Sequence, residues 1–275
     1  MAIYVFGELA LHVFVPSTSA STLPTTESPV QLGGGAGMIV RHLSHRGAAT
    51  HLIGAVGDDP VATCIASLAA LTSPESVVVR DCSATSSTVY IFHDARNVSE
   101  LRIIRGTVSL QSLLPYAAAP QVEDVVYCPW FPGYELLARH LATRCKRLVL
   151  DFGFHDWSGN AGLIAERLSD APRAELVVIN GSSLAETRRS ELRDTAISLG
   201  YERVIVTAGE CDVLGFDMGH NFRITPGSIA AVCTVGAGDV MISEILLALS
   251  RLEDLQEATG RGCSAATSKS ARWGV

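Results

Sequence analysis

The chain has 275 residues, 48% of them apolar, and a formal net charge of -7. That length suffices for one large α/β domain or two small ones with a sizeable core, and the apolar share excludes general disorder. Only two lysines occur, Lys146 and Lys269, so the clustered basic face of a nucleic-acid-binding surface is missing and no nucleic-acid partner is expected. The seven cysteines include no Cys-x-x-Cys pair and are odd in number. They point to a reduced cytoplasmic protein, not to a disulfide framework or a zinc site. No uninterrupted apolar stretch of about 18 residues occurs, so no membrane partner is expected. The apolar run 2–15 lacks a basic start and contains Glu8 and His12; it reads as strand, not as signal peptide.

In chain order, residues 2–7 and 11–15 read as β, followed by a Ser/Thr/Pro-rich loop or flap segment over 16–30. The Gly33-Gly34-Gly35 turn leads into a helix over 36–46, which Gly47 ends as a C-cap. A strand follows at 50–56. Asp59 and Pro60 then open another helix as N-cap and first helical residue. Residues 77–79 form a short strand. The stretch 86–105 alternates as a hairpin around a polar turn at 94–97. Beyond it, strands at 125–127, 147–152, 176–179 and 203–207 alternate with helices near 134–144, 160–169 and 184–199, and an apolar helix spans 240–252. This βαβ alternation predicts an α/β fold with a mostly parallel sheet and helices on both faces. Ligands of such sheets bind at the carboxyl ends of the strands, where Asp151, Asn180, Thr207 and Gly209 fall.

The densest chemical signal is Cys233-Thr234-Val235-Gly236-Ala237-Gly238-Asp239. Small residues at 236–238 let the backbone approach a ligand, and their N–H groups open toward a helix N-terminus that favours an anion. Asp239 in the first turn is placed to take a proton from a hydroxyl while a phosphoryl group is held beside it. The bland alternative is an ordinary helix-starting acid. A Ser-His-Asp hydrolase finds no Gly-x-Ser-x-Gly elbow, and the Gly33 turn is no Walker loop, because no Lys-Ser/Thr follows. His155 and Asp156 are adjacent and lack a third ligand, so they make no metal site. Trp130 and Phe131 read first as a packed turn and second as a stacking platform.

Three blocks together resemble the ribokinase-like (PfkB) family of sugar and nucleoside kinases: Gly33-Gly34 through Gly47-Ala48 with the strand ending Gly57-Asp58-Asp59; the series Asp151, Asn180 and Thr207-Ala208-Gly209; and Thr234 to Asp239. The resemblance implies a ribokinase-like α/β fold, a single domain over 1–275 with a β-flap drawn from about 9–31 and 86–105, and ATP-dependent phosphorylation of a hydroxymethyl group with Mg²⁺ on the nucleotide. It implies Asp239 as general base, the amides of Gly236, Ala237 and Gly238 as anion hole, and Asn180, Thr207 and Gly209 at the nucleotide. Gly33, Gly34 and the positions of His12 and Met38 fall to the substrate, with Arg105 at the end of the hairpin facing an anion or solvent. A homodimer through the flap is also implied.

Four positions depart from the family pattern. His12 stands where an Asp often grips sugar hydroxyls, and reads equally as a hydroxyl partner or a flap surface residue. Met38 stands for an Asn, and reads as helix core or as an apolar contact to substrate. Ser183 replaces the Glu of an Asn-x-x-Glu element, with Glu186 one turn on, and no metal ligand is assigned. Cys233 replaces an Asp in a region that serves a monovalent cation in relatives, so little K⁺ activation is expected. These changes suggest a substrate with fewer hydroxyls or an apolar part. They also motivate an alternative: a weakened or non-catalytic binding protein on a kinase scaffold.

Overall fold

Runs of Val, Ile and Leu that satisfy their backbone only by pairing become strands, and the helical stretches between them cover both faces of the resulting sheet. The computed structural model describes residues 1–16, 29–93, 98–153, 159–229, 231 and 233–271. The polar turn 94–97, most of the segment 16–30, and His155 and Asp156 lie outside the described residues. In order, the elements are β1 (Ile3–Glu8), β2 (Ala10–Pro16), β3 (Val30–Gly33), α1 (Gly34–His45), β4 (Thr50–Gly57), α2 (Pro60–Thr72), β5 (Val77–Asp81), β6 (Ser87–His93) and β7 (Val98–Ile104). A 3₁₀ helix spans Leu110–Ala118. There follow β8 (Val125–Pro129), α3 (Glu135–Ala142), β9 (Arg147–Phe152), α4 (Ala161–Asp170), β10 (Leu176–Asn180), α5 (Glu186–Ser198) and β11 (Arg203–Thr207). Last come β12 (Val213–Asp217), β13 (His220–Ile224), α6 (Ala237–Ser250) and α7 (Leu255–Ser270).

The described strands form a nine-stranded sheet in the order β13-β12-β11-β10-β9-β8-β1-β4-β5 and a four-stranded sheet in the order β3-β2-β6-β7. From β11 to β5 all neighbours of the large sheet are parallel; only β12 and β13 run antiparallel, at one edge. The order reverses between β1 and β8, because the chain builds outward from β1 to β5 and then from β8 to β13. That switch point leaves a crevice at the carboxyl ends of the strands. One core packs α1, α2, α6 and α7 against the sheet, through residues such as Ile39, Ile65, Ile245 and Cys263. The other packs the 3₁₀ helix, α3, α4 and α5 on the opposite face, through Leu113, Leu137, Ile164 and Leu192.

Local signals hold where expected. The Asp59 carboxylate accepts the Ala62 N–H at 2.9 Å, with Pro60 opening α2. Gly47, just past α1, takes φ of +71° and donates its N–H to the Ser44 carbonyl at 2.9 Å. The hairpin β6–β7 is antiparallel. Beyond the expected elements stand β3, the β12–β13 hairpin, the 3₁₀ helix and α7. The sequence hides the 3₁₀ helix behind Pro115, which ordinarily argues against a helix interior.

Candidate active site

Helix α6 begins at Gly236, whose φ of +79° lies in the left-handed region, and this turns the chain from the Thr234 bend into the helix. Every residue from Val240 to Leu249 is buried, so α6 is a central helix, apolar except at Ser243 and Glu244. Its one buried carboxylate, Glu244, is held by Arg46 at 3.0 Å and His42 at 2.7 Å on the last turn of α1 and just beyond it. The two helices are thereby locked with their N-termini together: a Cβ on Gly35, in the first turn of α1, would lie 3.4 Å from Asp239 Oδ1. Both helix N-termini carry orphan N–H donors and a positive dipole end, so the point where they meet favours negative charge.

The turn supplies fewer free amides than expected. The Ala237 N–H donates to the Thr234 carbonyl at 3.1 Å, which closes the turn and leaves the Gly236 and Gly238 N–H groups without a backbone partner among the described residues. A cradle of these two amides matches an oxyanion such as a phosphoryl group.

Across the cleft, Tyr127 on β8 donates its hydroxyl to Asp151 Oδ2 on β9 at 2.7 Å, and both are buried. Burial raises the Asp151 carboxyl to about 6, against the Tyr127 hydrogen bond, which lowers it. Asp239 rises to about 7, first through burial and next through the Asp151 charge, while Lys269 opposes the rise. The residue as a whole is only partly buried, so solvent moderates that rise. Two neighbouring carboxylates raised into this range titrate as a pair, and a carboxylate near 7 is matched to general-base work at neutral pH.

His12, on β2, is 5% exposed, so it is not a flap surface residue. Its Nε2 accepts the Gly34 N–H at 3.3 Å, which puts the proton on Nδ1. Burial, then Arg41 and Lys269, lower it to about 4, and it is neutral at physiological pH. Gly33 lies directly on the ring, where any Cβ would overlap it. Gly34 takes φ of +74° with its Cα against the Glu8 carbonyl. Met38 is 3% exposed and is core, yet its Cε packs on Gly236, so it backs the turn. Arg105 is exposed, with no ionic contact among the described residues. Trp130 is buried, with Nε1 donating to the Arg167 carbonyl at 3.1 Å; it is a packed turn residue.

Asn180 and Thr207 are register partners at the carboxyl ends of β10 and β11, and Gly209 follows with φ of +62°. The Asn180 side-chain oxygen accepts from the Ser182 N–H at 3.0 Å and its hydroxyl at 2.7 Å. Glu186 is engaged by Arg223 at 2.5 Å, so it does not stand in for the acid missing at Ser183. Among the described residues no cluster of three His, Cys, Asp or Glu side chains suits a metal ion. The residues therefore do not fit a protein-built Mg²⁺ cage, and no step below runs through the metal. A crevice of 820 Å³ opens at the other end of the sheet, lined by Arg144, Arg173, Glu175, Tyr201 and Arg203. Arg203 is already bound to Glu175 and Asp217, and none of these residues approaches Asp239.

Tyr127 and Lys269 are the site residues that sequence patterns miss. Tyr127 sits in an apolar strand run, and Lys269 in a Ser- and Thr-rich helix, without a motif around either. The one signal for Lys269 is the rarity of lysine in this chain.

The family model for pfkB carbohydrate kinases matches residues 2–271, and the chain belongs to that family. Solved structures share its ribokinase-like fold. Phosphofructokinase-2 from Escherichia coli, in complex with substrates and products, aligns with a TM-score of 0.77 at 17% identity, over 98% of this chain and 94% of that one. A ribokinase from Thermotoga maritima gives 0.69 at 17%, over 99% and 94%. A Burkholderia thailandensis nucleoside kinase in complex with inosine gives 0.72 at 16%, over 99% and 92%. A search of curated proteins found no match. No helix among the described residues is long and apolar enough to cross a membrane.

Proposed function

We propose that this protein transfers the terminal phosphoryl group of ATP to a hydroxymethyl group of a sugar, sugar derivative or nucleoside. The observation that carries the reading is Asp239 standing beside two amides, Gly236 and Gly238, that have no backbone partner among the described residues, where two helix N-termini meet at the switch point of the sheet. Asp239 takes the hydroxyl proton. The hydroxyl oxygen attacks phosphorus, and the amides donate to the phosphoryl oxygens as charge redistributes. The nucleotide lies along Asn180, Thr207 and Gly209. The four-stranded sheet forms the lid that excludes water, and the exposed Leu101, Ile103 and Ile104 of β7 suit its pairing with a second copy. The neutral His12, which cannot accept twice as a carboxylate does, suits an acceptor with fewer hydroxyls than ribose. The binding-protein alternative is not favoured, because a pure binder needs no carboxylate poised near neutrality.

ADP release from Mg-ATP across sugars, polyols and nucleosides, run beside Asp239→Asn, tests this. Turnover with one acceptor class should fall on the order of 10²–10⁴-fold in the variant. Undiminished turnover in the variant overturns the base assignment, and ATP binding with no turnover across the panel supports the alternative.

A further inference from the structure

Among the described residues, buried side-chain nitrogens without a hydrogen-bond partner occur at His12 Nδ1 and Arg189 Nε. The first belongs to a neutral ring. The second belongs to a cation, and taking a guanidinium out of water is costly unless an anion offsets it. Arg189 is 5% exposed and lies one turn into α5. Long helical side chains lean back toward the helix N-terminus, and the Arg189 stem does so: a Cβ on Gly181 would lie 2.9 Å from its Cγ and 3.0 Å from its Cδ. Gly181 directly follows Asn180, and its N–H donates to the Thr207 carbonyl at 2.8 Å. The far end of the side chain reaches the next loop, where Nη1 donates to the Asp212 carbonyl at 3.5 Å. The guanidinium therefore lies between the loops that follow β10 and β11, at the strand ends that carry Asn180, Thr207 and Gly209.

That long contact is the one hydrogen bond Arg189 makes among the described residues, and it leaves the Nε and Nη2 edge of the fork open. No carboxylate pairs with it there. The acids beside it in the fold, Asp212 and Glu186, both turn to Arg223, at 2.9 and 2.5 Å. Helix α5 also starts without a side-chain cap, with Ala185 at the N-cap, so its orphan N–H donors and positive dipole end stand at the same place.

We infer that Arg189 is a phosphate-binding residue: its open guanidinium edge, with the uncapped N-terminus of α5, holds the polyphosphate chain of the nucleotide. A planar fork suits two phosphate oxygens at once, and a helix N-terminus adds backbone donors to the same anion. The inference rests on the kinase reading for the polyphosphate being a nucleotide's; the anion site itself rests on the geometry of α5.

Calorimetric titration of the full chain with ATP, tripolyphosphate and adenosine, without acceptor, tests this. ATP and tripolyphosphate should bind the wild type and bind roughly 10–100-fold more weakly to Arg189→Met. Adenosine, which has no phosphate, should treat both alike. Arg189→Lys should recover only part of the affinity, because it restores the charge without the fork. Without ligand, Arg189→Met should have a Tm at least as high as the wild type, since it keeps the stem and removes an uncompensated buried charge. A residue that only braces the loops predicts the reverse: a lower Tm with unchanged affinities. Equal tripolyphosphate affinity in folded Arg189→Met, or a wild type that binds neither ATP nor tripolyphosphate, overturns the inference. A loss that adenosine shares overturns it as well, because it marks a disturbed pocket. Arg189-dependent binding of tripolyphosphate, with no ADP formed from any acceptor, upholds the phosphate site and sinks the kinase reading instead.

Discussion

Replacing Asp239 with Asn should make the protein inactive and, at alkaline pH, more stable. Burial and the Asp151 charge raise the folded carboxyl to about 7, against about 3.9 in an unfolded chain. The folded state therefore holds more protons than the unfolded one between those values. Asp239 costs little stability below pH 4, progressively more as pH rises, and its full amount above 7. Three units correspond to at most about 4 kcal/mol. The residue as a whole is only partly buried, so solvent screening reduces the net gain to about 1–2 kcal/mol. For a chain of this size that is a rise of roughly 2–8 °C in Tm. Asn keeps the shape and does not titrate, so the difference in Tm between variant and wild type should be small at pH 4.5 and full at pH 8.5. Thermal unfolding across that range, followed by circular dichroism, measures it. A difference that does not vary with pH, or a variant less stable than wild type at pH 8.5, would refute the reasoning. It would mean that the ionised Asp239 is held favourably by Lys269 and is not strained by burial.

Two further outcomes are expected. Gly34→Ala should destabilise the fold by about 1–3 kcal/mol, because φ is +74° and the new Cβ meets the Glu8 backbone oxygen at 2.6 Å, which no rotamer can relieve; chemical denaturation checks this, and a neutral change would mean that the turn re-forms. A K⁺ titration of turnover should be nearly flat, since Cys233 offers a thiol where a hard cation wants oxygen and the Cys233 carbonyl is already taken by Lys269; a large rate increase would contradict both points.

The features legible in the sequence are those carried by local chemistry. The left-handed Gly236 and the acid three residues on announce a helix start that binds anions, and Asp59-Pro60 and Gly47 announce a start and a stop, because capping is settled within a few residues. The parallel strands declare themselves as continuous apolar runs, buried on both faces. What stayed hidden depends on contacts far along the chain. Whether His12 faces solvent or core is decided by Gly33 and Gly34 coming to rest on its ring, twenty-odd positions later in the sequence. Whether Met38 is core or site has no single answer, since its Cε fills core space and also supports Gly236. The β12–β13 hairpin turns through Met218, at φ of 46°, and Gly219; a methionine in the left-handed region disguises a two-residue turn that Asn-Gly would have announced. Lys269 shows the limit most plainly. Its burial follows from α7 packing on α6, and its influence on Asp239 crosses thirty residues, so no window of sequence contains both. The motif names the carboxylate and the amides, but the lysine that holds the Cys233 carbonyl before them arrives from a helix whose own sequence looks like a solvated surface.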